Sequence, residues 1–266
     1  EYHGAHARLV GAPGRGVATI IDMVHHTRLD TMAGVLGIMR AALAQAAHHV
    51  AHRRAFQRVL IDQPAMRAVI ADLALEYEAA SVLTMHVARA FDDASPEGRA
   101  YARLAVALGK YWLAKRCPAF VAECLECLGG GGYIEEAMLA RLYREAPLNG
   151  IWEGSGNVIA LDVLRTLARE PAALAMLRDV AAAARGGHSA LDAAAAAELT
   201  GAVAERDARH VAERLALLLQ AALLVRFAPA PVADAFCATR LGGAGGRSYG
   251  TLPGDANLDA IVARVG

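Results

Sequence analysis

Leu29-Asp30-Thr31-Met32-Ala33-Gly34-Val35-Leu36-Gly37-Ile38-Met39-Arg40-Ala41-Ala42-Leu43 carries apolar residues at Leu29, Met32, Leu36, Met39 and Leu43, in alternating steps of three and four. That period places them on one helix face and makes a bundle seam. Working outward, the helix is expected to run from about Gly16 to His52. A second helix opens at Asp62-Gln63-Pro64, with Asp62 as cap and Pro64 in the first turn. Its seam is Met66, Ile70, Leu73, Tyr77, Ala80, Val87 and Phe91. A third opens at Ser95-Pro96-Glu97 and runs toward Leu128, with a kink or break expected at Pro118. Gly129 to Gly132 end it, and a fourth helix follows Gly154 to about Arg169. Three long antiparallel helices and a shorter fourth predict an all-α, up-and-down four-helix bundle.

Composition agrees. Of 266 residues, 56% are hydrophobic and only 5% aromatic, an excess made mostly of helix-forming Ala and Leu. Formal net charge is zero, so no global field draws the chain to nucleic acid or anionic membrane. The longest apolar stretch, Leu215 to Val225, contains Gln220 and is too short to cross a bilayer. No signal-peptide pattern opens the sequence, which reads as a cytoplasmic chain without membrane contact. Cys117, Cys124, Cys127 and Cys237 read as buried thiols, because the C-x-x-C pair lies in an apolar helical pattern with no second pair.

Both ends fall outside the bundle pattern. Residues 1–14 contain an expected short strand, Ala7-Arg8-Leu9-Val10, which has nothing here to pair with and either pairs within an oligomer or is a remnant of a sheet lost upstream. Residues 170–266 change character, with alanine runs and no lysine, and read as an appended helical subdomain. There, a hinge is expected at Arg185-Gly186-Gly187-His188, a long helix over Ser189 to Arg226, and a short one around Val232–Arg240.

Two stretches invite chemistry. Four glycines, Gly129 to Gly132, either terminate a helix or bare backbone N–H groups to a phosphate. Glu153, between Trp152 and Gly154 in a loop before a helix, is either a general base beside an apolar ring or an acid favoured by the helix dipole.

Taken together, these pieces resemble the acyl-CoA dehydrogenase family. Glu126-Cys127-Leu128-Gly129-Gly130-Gly131-Gly132-Tyr133 resembles its Q-x-x-G-G-x-G-[FY] motif. Arg144-Glu145 resembles its Arg-Asp pair, and Trp152-Glu153-Gly154-Ser155-Gly156-Asn157 its Y-E-G-T-S-Q loop. Arg53-Arg54-Ala55-Phe56-Gln57 with Asp62-Gln63 resembles its R-x-x-F-G…Q signature, and His26-Thr27-Arg28 the start of its first bundle helix. Order and spacing agree over residues 15–169. Glu126, Gln57 and Gly131 depart from the pattern, standing for Gln, Gly and Asn or Ser.

The resemblance implies an acyl-CoA dehydrogenase C-terminal bundle in a dimer or tetramer that binds FAD across subunits. It implies that Arg53, Phe56, Gln63, Gly129, Gly130 and Gly132 hold a neighbour's FAD, while Ser155 and Asn157 contact the subunit's own. It implies Glu153 as the base that takes the α-proton of an acyl-CoA thioester while the β-hydride goes to the flavin, with Arg28 and Trp152 at the substrate pocket. Members that carry the base on the first helix would need it at Thr27, which cannot serve. The family's N-terminal helical domain and middle β-domain have no counterpart here. The chain therefore reads as a C-terminal fragment, and residues 1–14 as a remnant of the β-domain.

The run Arg141 to Asn157, with Ala235 to Gly243 and Tyr249 to Pro253, looks closest to the alkylation-response (AidB-like) branch. That likeness implies a DNA-associated flavoprotein as the alternative. Against it, residues 170–266 hold nine arginines and ten acids, with no basic surplus. Weak, non-specific duplex DNA binding would need Arg178, Arg185, Arg206, Arg209 and Arg214 gathered on one surface.

Overall fold

The computed structural model describes residues 1–197 and 203–265. Helix α1 (Gly16–His52) has the expected limits. It buries Met32, Val35, Met39, Ala42, Leu43, Ala46 and Val50, and its seam packs on α3 and α2. It ends where Arg53 turns extended, leading into a hairpin of β1 (Arg54–Ala55) and β2 (Arg58–Val59). The strands pair antiparallel, Arg54 opposite Val59 and Ala55 opposite Arg58.

A short 3-10 turn, Leu60–Asp62, precedes α2 (Pro64–Ala90). Asp62 is not the cap. Gln63 holds that position in extended conformation, as the proline that follows it requires, and Pro64 opens the helix. Helix α3 (Pro96–Cys127) begins on the expected cap, with the Gly98 N–H donating to Ser95 Oγ at 2.9 Å. It does not break at Pro118. The helix stays continuous there because Cys117, Phe120 and Val121 are fully buried, and packing outweighs one lost backbone bond.

A single turn, α4 (Gly130–Tyr133), and α5 (Met138–Glu145) follow, both against α3, and then a 3-10 stretch, Ala146–Gly150. Helix α6 (Gly156–Arg169) then completes the up-down-up-down bundle against α3.

The second half is α7 (Pro171–Ala182), α8 (Ser189–Ala196), α9 (Ala208–Phe227), α10 (Ala230–Phe236), a π-turn at Cys237–Leu241, and α11 (Leu258–Val262). The long helix expected over Ser189 to Arg226 is two helices. Its middle, residues 198–202, lies outside the described residues, and Val203 and Ala204 are already non-helical. The alanine run that suggested continuity has helix propensity but no bulky face to bury.

Helix α9 is buried on every side from Leu215 to Leu224, because it lies against α2, α3 and α6 as well as α7 and α10. One core therefore runs through residues from both halves. At the N-terminus, the strand expected at Ala7–Val10 is absent. The segment is irregular and exposed, with no neighbouring strand among the described residues to satisfy its backbone. Among the described residues, no helix is long and apolar enough to cross a membrane.

Candidate active site

Glu153 does not sit in the first turn of α6. That helix starts at Gly156 with Ser155 at the N-cap position. Glu153 stands before it in left-handed conformation, φ +56°, followed by Gly154 at φ +102°. A non-glycine residue persists there only when its surroundings hold it. Here three consecutive carbonyls are held. Lys110 Nζ donates to the carbonyls of Trp152 and Gly154, each at 2.7 Å, and Arg28 Nε donates to that of Glu153 at 3.2 Å. The carboxylate is fixed as well, since Thr27 Oγ1 lies 2.7 Å from Glu153 Oε2, closer than the 3.2 Å to its other acceptor, the Val24 carbonyl.

The cations behind the loop are themselves anchored. Buried Arg28 makes a 2.7 Å ion pair with Asp162 of α6, whose other oxygen meets Arg103 of α3 at 3.5 Å. Arg103 continues to Glu170 at 2.6 Å. Lys110 is 1% exposed, and burial, reinforced by the charge of Arg28 and opposed by Glu153, pulls its ammonium down to about 8. Arg28, expected at the substrate pocket, is thus engaged in holding the loop. Trp152 is half-exposed, with its indole N–H on Asn149 Oδ1 at 3.2 Å.

Sequence reading missed Lys110 and Asp162. Each had a signal: a lone charge inside an apolar helical run, Leu104 to Leu113 for Lys110 and Ile159 to Leu164 for Asp162. A charge in such a place is buried with partners or not there at all.

The residues assigned to a neighbour's cofactor gather elsewhere. Thr27 and His52 lie about 38 Å apart along α1, at ~1.5 Å per residue. Up-down-up order brings the end of α3 to the hairpin end of the bundle. There Arg53 is exposed, Phe56 is 89% exposed, and Gln63 Nε2 donates to the Ala55 carbonyl at 3.1 Å, bracing the hairpin from α2. In the glycine loop, Gly129 adopts φ +59°, ψ −144°, which only glycine takes readily. A Cβ on buried Gly132 would stand 2.2 Å from the Leu125 carbonyl oxygen, whereas at Gly130 and Gly131 it would meet open space. Two glycines are thus required by the fold, and two leave a surface clear.

Ser155 and Asn157 stand with Glu153 instead. Ser155 is exposed and its hydroxyl makes no cap hydrogen bond among the described residues; Asn157 Oδ1 accepts from Arg209 Nε of α9 at 2.7 Å. Of the other arginines named for DNA, Arg206 pairs with Asp207 and Arg214 donates to the Ala197 carbonyl.

The family profile described as acyl-CoA dehydrogenase, C-terminal domain, matches residues 14–168. The chain is 37% identical over 249 residues to AidB of Escherichia coli, covering 92% of this chain and 46% of that protein. Among solved structures, Caenorhabditis elegans ACDH-11 in complex with C11-CoA superimposes with a TM-score of 0.78 at 24% identity, covering 87% of this chain and 45% of that one. An acyl-CoA dehydrogenase complexed with FAD from Bacillus anthracis gives 0.67 at 16% identity, covering 96% and 50%. The chain thus spans less than half the length of AidB and at most half of each solved chain.

Proposed function

The chain belongs to the acyl-CoA dehydrogenase family through its C-terminal helical domain, and from that premise we propose that it serves FAD-dependent α,β-dehydrogenation of an acyl-CoA thioester with Glu153 as the base. The observation that carries this reading is the held carboxylate. Glu153 is kept in a left-handed conformation by bonds to three successive carbonyls and aimed by Thr27, which a solvated helix-end acid does not need. A carboxylate so fixed meets a substrate α-carbon without reorganisation, and takes its proton. FAD, when bound, supplies the acceptor for the β-hydride.

The residues present fit such a cofactor. Exposed Phe56 offers a ring, Arg53 an exposed charge, and Gly130 and Gly131 a clear backbone surface for a phosphate-bearing ligand. That set and the Glu153–Asn157 set lie at separate levels of one bundle. A cofactor in reach of both is then met by two copies of the chain, one giving the hairpin and glycine loop, the other Glu153, Ser155 and Asn157. We therefore propose a dimer or tetramer as the working form.

In the full-length, flavin-loaded protein, Glu153→Gln is expected to keep the flavin spectrum and lose acyl-CoA-dependent bleaching by at least about 100-fold, because the amide is nearly isosteric and takes no proton. Bleaching at the unmutated rate would remove Glu153 from the chemistry.

A further inference from the structure

Lys110 is one of the largest fully buried side chains among the described residues, and it is charged. It projects from the middle of α3, between the buried residues Leu108, Gly109, Tyr111 and Leu113. Its ammonium spends two hydrogen bonds, both 2.7 Å, on the carbonyls that bracket Glu153. Nothing in the packing of α3 asks for a cation there, and a methionine would fill the same space. What a cation adds is a point donor that reaches two carbonyls at once and turns both toward the bundle interior. Arg28 cannot substitute. Its Nε reaches only the intervening carbonyl, at 3.2 Å, and its NH1 is committed to Asp162.

We propose that Lys110 is the positioning residue of the Glu153 base: by clamping the carbonyls on either side, it holds the loop in the left-handed turn that delivers the carboxylate to Thr27. The proposal rests on the reading of Glu153 as base. Without the clamp, the loop is free to relax to an ordinary conformation. The carboxylate then leaves the bundle face, even though every atom of the base is still present. Local charge supports the arrangement: the Glu153 carboxylate helps keep the buried ammonium protonated.

Three variants of the full-length, flavin-loaded protein test this: Lys110→Met, Glu153→Gln and the double variant. Lys110→Met is expected to keep its FAD and to lower acyl-CoA-dependent bleaching about 100-fold, the scale of a misplaced reacting group. In the Glu153→Gln background it should lower the rate no further, because a clamp without a base has nothing to position. Amide hydrogen exchange should quicken over residues 150–157 and stay unchanged over the hairpin, residues 53–63. Lys110→Gln keeps N–H donors on a shorter neutral chain and should fall between the two, and it carries the same comparison if the methionine variant does not fold.

A Lys110→Met rate within about threefold of the unmutated protein, or a second loss of equal size in the double variant, overturns the proposal. So does unchanged exchange over residues 150–157, whatever Glu153 does. If Glu153→Gln alone bleaches normally while exchange quickens in Lys110→Met, the base reading has failed and the clamp on the loop has not.

Discussion

Phe56 and Gln57 form a two-residue turn in which both carry positive φ, 50° and 68°. Antiparallel strands joined by two residues favour this twist, and Asn-Gly or Gly-Gly are its usual occupants. A phenylalanine and a glutamine there are strained, at roughly 1–3 kcal/mol for such a residue. The hairpin survives because Gln63 Nε2 holds the Ala55 carbonyl and Arg54 donates to that of Gln57 at 3.3 Å. Gln57→Gly should therefore raise stability by about 0.5–1 kcal/mol, the strain relieved less the extra freedom of the unfolded chain. Urea unfolding checks it, and a lower midpoint would mean that the Gln57 side chain contributes a contact of its own. The resemblance to the family's R-x-x-F-G…Q signature implied a glycine where Gln57 stands. It could not show that the backbone keeps glycine's conformation regardless, because that is set by strand pairing rather than by the residue.

At the scale of elements, α1, α3 and α6 are joined by charge as well as by core. Asp162 on α6 takes Arg28 of α1 on one oxygen and Arg103 of α3 on the other. Burial pushes the Asp162 carboxyl up, but the hydrogen bond and charge of Arg28, with Arg103 and His25, outweigh it and leave it below the ordinary aspartate range. The folded state therefore binds this proton less readily than the unfolded state. The pair's contribution is complete above the unfolded value, about pH 4, and is lost as pH falls through the lower folded value. Asp162→Asn should cost about 3 kcal/mol at neutral pH, chiefly by leaving Arg28 buried without its counter-charge. The gap from the unmutated protein should narrow below about pH 4, where the aspartate itself becomes protonated. A gap constant from pH 7 to pH 3 would contradict this. Helix limits at this scale were readable because caps and N1 prolines act locally, as at Ser95-Pro96. The break allowed for at Pro118 did not occur, because neighbouring helices, not the local chain, decide whether a proline interrupts. The partners of Asp162 were hidden because Arg28 lies 134 residues away.

For the whole molecule, the question is whether residues 170–265 ride on the bundle or belong to it. The apolar run Leu215 to Val225 was legible as part of a helix too short to cross a bilayer. Its neighbours, α2, α3 and α6, were not, since periodicity tells which face is apolar and not what covers it. The same holds for Arg240 and Tyr249, stretches singled out for likeness alone. In the fold they close a buried network. Arg240 NH2 meets Asp72 at 2.5 Å and Glu76 at 3.1 Å, and the Gly250 N–H donates to Asp72 at 2.9 Å. Arg116 of α3 grips Glu76 at 2.9 Å and the Tyr249 hydroxyl at 3.0 Å.

Asp72 and Glu76 are each 2% exposed, so two acids are neutralised by two arginines, one from each half of the chain. Removing one arginine leaves a buried carboxylate uncompensated, which costs about 3–5 kcal/mol. Arg240→Ala should therefore lower the unfolding midpoint. Because α9 shares one core with the bundle, unfolding should remain a single transition, reported together by α3 and the tail. Arg240→Met, which keeps the packing of the stem and loses the charge, should cost nearly as much, since the burden is the orphaned acid rather than the lost volume. Two separated transitions in either variant, the tail melting first while the bundle persists, would show that residues 170–265 fold as an independent unit and that the ionic clasp merely tethers them.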